Sequence, residues 1–167
     1  NTHPFKAQFR GRSFAFAHNG TVSEVRTQPL RQPQPEGRTD SEYAFFLLLE
    51  QLANTPKVDF AKHLKERADE IRKCGRFNFL MSDGTTVWAY ADNSLNFIER
   101  KPPYDGGELV RLEEDGYAIG LSEIKRPDER AVLIATQRLT NEAGWQSMNP
   151  GELLIVREGR VDARLDG

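Results

Sequence analysis

The 167-residue chain fits one domain of ordinary size, and its 38% apolar and 29% charged residues are a globular mixture. Its 23 Lys and Arg against 25 Asp and Glu give a net charge of -2, which argues against nucleic acid or an anionic membrane as the main partner. No apolar run approaches the roughly 20 residues of a bilayer span, and a lone cysteine allows no internal disulfide, so a cytoplasmic location is expected.

In chain order, Ser13 to His18 alternates Phe14 and Phe16 with small or polar residues, the period of a half-buried strand. It ends in Asn19-Gly20, a turn signal, and Gln28 to Gly37 reads as a surface loop. Thr39-Asp40-Ser41-Glu42 has the form of a capping box and opens a helix to about Asn54. That helix is apolar nearly all round, so it is expected to be buried on more than one side. A second helix is predicted from Asp59 to Lys73, with Phe60, Leu64, Ala68 and Ile71 on one face and Gly75 as its cap. Strands then follow at Arg76–Ser82 and Thr85–Asp92 around an Asp83-Gly84 turn, and at Leu95–Lys101, Leu109–Glu113 and Tyr117–Ser122. The last are Ala131–Gln137, Leu153–Arg157 and Val161–Leu165, with turns at Asp115-Gly116 and Glu158-Gly159. Two helices and a long antiparallel run predict an α+β layered fold.

His3, His18, His63 and Cys74 show no ligand spacing, so no metal site is expected. No glycine-rich loop joins a strand to a helix, which speaks against a dinucleotide or P-loop cradle. Cys74 falls at a helix C-terminus, where the dipole disfavours a thiolate, and reads as a half-buried packing residue rather than a nucleophile. His18-Asn19-Gly20 has two readings. It is a turn, or the Asn19 side-chain amide and the unshielded Gly20 N–H form an oxyanion hole, each donor worth roughly 3 kcal/mol in acyl transfer. Asp40 is likewise either a first-turn carboxylate favoured by the helix dipole or an acceptor for a substrate ammonium group.

The order of Asn1-Thr2-His3-Pro4-Phe5, Phe16-Ala17-His18-Asn19-Gly20 and Gly37-Arg38-Thr39-Asp40-Ser41-Glu42 resembles that of class II glutamine amidotransferases, which are N-terminal nucleophile hydrolases. Phe77 to Gly84, Ile134 to Gln137 and Trp145 to Glu152 resemble the small stand-alone branch of the family. The resemblance implies a four-layer αββα sandwich with stacked antiparallel sheets. It implies that Asn19 and Gly20 stabilise an oxyanion, that Asp40 holds the substrate α-ammonium, and that His18 belongs to the substrate pocket and helps to orient the hole. The implied substrate is glutamine or another γ-glutamyl amide, with no cofactor. An ammonia-accepting partner protein and a homodimer are both left open.

The family's nucleophile is a cysteine at the mature N-terminus, acting with its own α-amino group as base, whereas this sequence opens on Asn1. The family's upstream arginine block also has no counterpart, and Arg10 and Arg12 stay unassigned. Residues 1–167 are therefore expected to be a partial domain, incomplete at the N-terminus and inactive alone. The alternative is a non-catalytic ligand-binding or partner subunit that keeps the glutamine pocket.

Overall fold

The computed structural model describes residues 2–31, 35–101, 129–141 and 143–167. Strands β1 (Phe5–Phe9) and β2 (Arg12–Thr21) form a hairpin, followed by a 3-10 turn at Ser23–Thr27 and helices α1 (Asp40–Gln51) and α2 (Phe60–Ile71). Then come β3 (Arg76–Ser82), β4 (Thr86–Ala91), β5 (Asn96–Arg100), β6 (Ala131–Ala135), β7 (Gln146–Ser147), β8 (Glu152–Arg157) and β9 (Arg160–Leu165). One antiparallel sheet runs β1-β2-β3-β4-β8-β9, and a second runs β6-β5-β7.

The pleat of the larger sheet sorts its side chains into two cores. Phe14, Phe16, Phe77, Phe79, Trp88 and Tyr90 face the helices, where the Phe16 ring stacks on Phe45 of α1 at 4.9 Å. Ala89, Ala91, Leu154 and Val156 face the other way, against Leu95, Phe97 and Met148 beside and within the smaller sheet. The described residues thus form a helix layer and two stacked antiparallel sheets. Burial of Ala44 through Leu49 explains why α1 is apolar nearly all round. In α2 only the stripe Leu64, Ala68 and Ile71 is fully buried, with Phe60 half-buried. Among the described residues no helix is long and apolar enough to cross a membrane.

Several expectations are revised. Asn19-Gly20 is not a turn: β2 runs through both residues, paired as Asn19↔Asn78 and Gly20↔Phe77. A type I′ turn needs positive φ at both central residues, and here only Gly20 has it. That turn geometry occurs instead at Arg10-Gly11 (φ 52° and 76°), which joins β1 to β2, and at Glu158-Gly159 (φ 49° and 70°), which joins β8 to β9. Arg10 also donates to the carbonyls of Leu52 and Ala53, tying this hairpin to the end of α1. Strand β1 and the short β7 have no counterpart among the predicted strands, and α1 ends at Gln51 rather than near Asn54. The capping box is half formed, because Thr39 Oγ1 accepts from Glu42 N–H (3.2 Å) while Glu42 Oε2 accepts from Gly37 N–H (2.7 Å). Gly75 caps the 3-10 turn Arg72–Cys74 that extends α2. The strands predicted at Leu109–Glu113 and Tyr117–Ser122, and the Asp115-Gly116 turn, lie outside the described residues.

Candidate active site

The end of β2 meets the start of α1 through hydrogen bonds of His18 to Ser41 and, just past the strand, of Val22 N–H to Asp40, and Asn19 and Gly20 lie between His18 and Val22 in the chain. His18 is on the helix-facing side of the sheet and is buried, whereas Asn19 is exposed on the opposite side. The His18 ring is held at both nitrogens, with Nε2 3.0 Å from the Arg76 carbonyl and Nδ1 2.8 Å from Ser41 Oγ. A carbonyl can only accept, so Nε2 carries the proton and Nδ1 of the neutral ring accepts from the Ser41 hydroxyl. Burial pushes the His18 pKa below its usual 6.5, and His3 adds to this, against the opposing pull of the Arg76 carbonyl and the Asp40 carboxylate.

Asp40 is fixed by backbone donors: Val22 N–H to Oδ2 at 2.7 Å and its neighbour Ser41 N–H to Oδ1 at 2.8 Å. Two bonds leave the carboxylate with acceptor capacity for a cation. The same contacts clamp the 3-10 segment after β2 to the helix, together with Tyr43 O–H donating to the Gln28 carbonyl at 2.8 Å. Arg26 adds a guanidinium over the Tyr43 ring, 5.3 Å from its centroid.

Gly20 is required by space as well as by conformation. A Cβ built there would lie 2.0 Å from the Arg76 carbonyl oxygen and 2.9 Å from His18 Nε2. Ser41, the Arg76 carbonyl and Asn78 are the site neighbours that sequence reasoning missed. Asn78 left the clearest signal, a polar residue amid the apolar alternation Phe77, Phe79 and Met81.

Cys74 is half-buried, with the Gln28 side chain donating to its sulfur at 3.6 Å. His63 pairs with Glu66 on α2 at 3.0 Å. His3 packs edge-on against Phe5. A cavity of about 230 Å³ lies at the other end of β2, lined by Arg12, Phe14, Phe60 and Trp88 among others, and none of the four candidate site residues lines it.

The neutral state of His18 makes stability pH-dependent with a defined sign. A histidine whose folded pKa lies below its unfolded value contributes fully above the unfolded pKa of about 6.5 and loses that contribution as pH falls through the folded pKa. Urea unfolding between pH 7.5 and 5 should show the native chain losing stability more steeply than His18→Gln. Parallel losses would mean that His18 is not the responsible group.

Residues 1–166 match the family model for class-II glutamine amidotransferases. The chain is 39% identical over 169 residues to an uncharacterized protein of Methanocaldococcus jannaschii, covering 96% of this chain and 46% of that protein. It is also 39% identical over 158 residues to "Putative glutamine amidotransferase YafJ" of Escherichia coli, covering 91% of this chain and 61% of that one. A crystal structure described as a predicted glutamine amidotransferase from Pseudomonas aeruginosa superposes with a TM-score of 0.81 at 31% identity, covering 98% of this chain and 65% of that one. The chain therefore spans between 46% and 65% of the length of these relatives.

Proposed function

The chain belongs to the class II glutamine amidotransferase family and shares its N-terminal nucleophile hydrolase fold, and from this premise we propose that the full-length protein hydrolyses a γ-glutamyl amide, with glutamine as the first substrate to test. In this reading residues 1–167 supply part of the domain, and the nucleophilic cysteine lies outside them. Its thiolate attacks the side-chain amide carbon, forming a C–S bond and an oxyanion that the Asn19 amide and the Gly20 N–H receive. The proton taken from the thiol by the cysteine's own α-amino group passes to the leaving nitrogen. The C–N bond breaks and ammonia departs. Water then attacks the thioester, releasing glutamate and restoring the thiol. The ammonia enters solution or passes to an acceptor protein.

The observation that carries this reading is the anchoring of the Asp40 carboxylate, by Val22 N–H and Ser41 N–H, beside the strand end that bears Asn19 and Gly20. An amino acid whose ammonium pairs with Asp40 would be held by a group rigid relative to the proposed hole. His18 supports both parts, linking Ser41 of the helix to Arg76 of the neighbouring strand.

The test is ammonia release by the full-length protein from glutamine and from glutaramate, the same amide without the α-ammonium group. For Asp40→Asn the KM for glutamine should rise about 10- to 100-fold, the loss of one charge-assisted bond of about 1.5–3 kcal/mol. The value for glutaramate should barely move. Asn also accepts backbone N–H bonds at a helix start, so the melting temperature should change little. A collapse in melting temperature with an unchanged KM would reduce Asp40 to a structural cap. Retained glutamine binding without ammonia release would instead favour a non-catalytic subunit.

A further inference from the structure

Asn78 is 1% exposed and sits directly across from Asn19 in the β2–β3 ladder. Its oxygen accepts from three successive backbone N–H groups, those of Asp92, Asn93 and Ser94, at 3.0, 3.1 and 3.3 Å. Its Nδ2 donates to the Asn93 side-chain oxygen at 2.8 Å and to the Asn19 carbonyl at 3.2 Å. This pattern fixes which way the amide faces. Rotating it by 180° would set an NH2 group against three N–H donors.

The bond to the Asn19 carbonyl bears on the proposed hole through the covalent geometry of one peptide unit. The carbonyl of Asn19 and the N–H of Gly20 belong to the same planar group, and in a trans peptide they point in opposite directions. Once the carbonyl is drawn toward Asn78 on β3, the Gly20 N–H must point away from β3. On that side the ladder between β1 and β2 stops at Phe5↔Phe16, short of Gly20, so β1 does not pair with this N–H.

We propose that Asn78 is a positioning residue that aims the Gly20 N–H at the developing oxyanion by holding the carbonyl at the other end of the same peptide. The proposal rests on the function proposed above. Asn78 touches no reacting atom, and its three-fold acceptor bond to the β4–β5 turn supplies the rigidity. Fixing the amide from the turn side leaves Nδ2 a single direction in which to donate, onto Asn19. The arrangement is a preorganised donor in the sense that matters for catalysis: its direction is set before the charge appears.

Two variants of the full-length protein separate this role from simple support of the turn. Asn78→Asp keeps an oxygen for the three N–H donors but puts a second oxygen where Nδ2 donated to Asn19 and Asn93, whereas Asn78→Ala removes both ends of the amide. For Asn78→Asp the buried carboxylate facing the Asn93 and Asn19 oxygens should lower the melting temperature while the protein stays folded under assay conditions. The KM for glutamine should stay within about twofold, and the kcat of the folded fraction should fall by about 10- to 100-fold, the scale of a slightly misplaced group. The Gly20 amide resonance should shift in the same variant, while the Asp92, Asn93 and Ser94 amides stay protected from exchange. Native kcat in Asn78→Asp, or an unmoved Gly20 resonance, overturns the proposal. So does a kcat loss that only follows the fraction of unfolded protein. Asn19→Ala run in parallel distinguishes the two levels. If it leaves turnover intact, the hole itself is misassigned, and the Gly20 resonance still decides whether Asn78 sets the peptide's direction.

Discussion

Asn19→Ala in the full-length protein is expected to lower turnover by about 10²–10³-fold, the loss that follows removal of one oxyanion donor. The expected effect falls on kcat, because the charge that the Asn19 amide receives exists only as the tetrahedral intermediate forms. Stability should hardly change. The Asn19 side chain is exposed, and the contact that ties this residue to β3 is made by its backbone carbonyl, which alanine keeps. Surface substitutions of this kind stay within about 0.5 kcal/mol. Steady-state ammonia release over a range of glutamine concentrations, with a melting curve on the same sample, checks both halves. Unchanged turnover in a folded variant would assign Asn19 to strand structure alone.

Much of the architecture was legible because it rests on periodicity. The β3 boundaries at Arg76 and Ser82 match the predicted ones, since Phe77, Phe79 and Met81 recur at every second position and Gly75 and Asp83-Gly84 mark both ends. The Asp83 carboxylate accepts from the N–H groups of Thr85 and Thr86, the local bonding that makes such a residue a turn former. Asn19-Gly20 misled for a related reason. The dipeptide is a hairpin signal only when both residues can take positive φ, and pairing with Asn78 and Phe77 of β3 holds this segment in a ladder instead. Tertiary pairing overrode local preference. The strand β1 did carry a signal, the alternation of Phe5, Ala7 and Phe9, but it is too short to stand out from its polar partners.

The site was legible only in part. His18, Asn19, Gly20 and Asp40 fall in the sequence blocks that carry the family resemblance, and the fold ties the β2 end to the helix start through His18–Ser41 and Val22–Asp40 bonds. Ser41, the Arg76 carbonyl and Asn78 were not foreseen, because their importance comes from pairing across long sequence separations. His18 finds Arg76 only because β2 and β3 align, with Thr21 opposite Arg76. A backbone carbonyl has no residue identity to read, so no motif could have announced it. Asn78 differs in that its polarity inside an apolar strand was visible, and burial of an amide demands partners.

Gly20→Ala should be the most damaging single change at this strand end. Gly20 has φ of 150°, and a new Cβ would lie 2.0 Å from the oxygen and 2.7 Å from the carbon of the Arg76 carbonyl. Those are backbone atoms of the neighbouring strand, so the clash cannot be relieved by turning a side chain. Either β2 lifts away from β3 or the Arg76 peptide rotates, and both break the bond from His18 Nε2–H to that carbonyl. Unfavourable φ and overpacking each cost about 1–3 kcal/mol, so a loss of about 3 kcal/mol is expected. For a chain of this size that is a fall of roughly 6–12 °C in melting temperature. Gly84→Ala is the matched control. Gly84 also has positive φ, 86°, but nothing lies within 4 Å of its would-be Cβ, so only the conformational part should appear, about 1 kcal/mol. Thermal melts of the two variants side by side separate the terms. Equal shifts would mean that the β2–β3 ladder yields easily at Gly20, and the close approach of Arg76 would then be no constraint on the direction of the Gly20 N–H. A larger shift for Gly20→Ala, together with loss of ammonia release, would tie the absence of a side chain at this position to the same contact that seats His18.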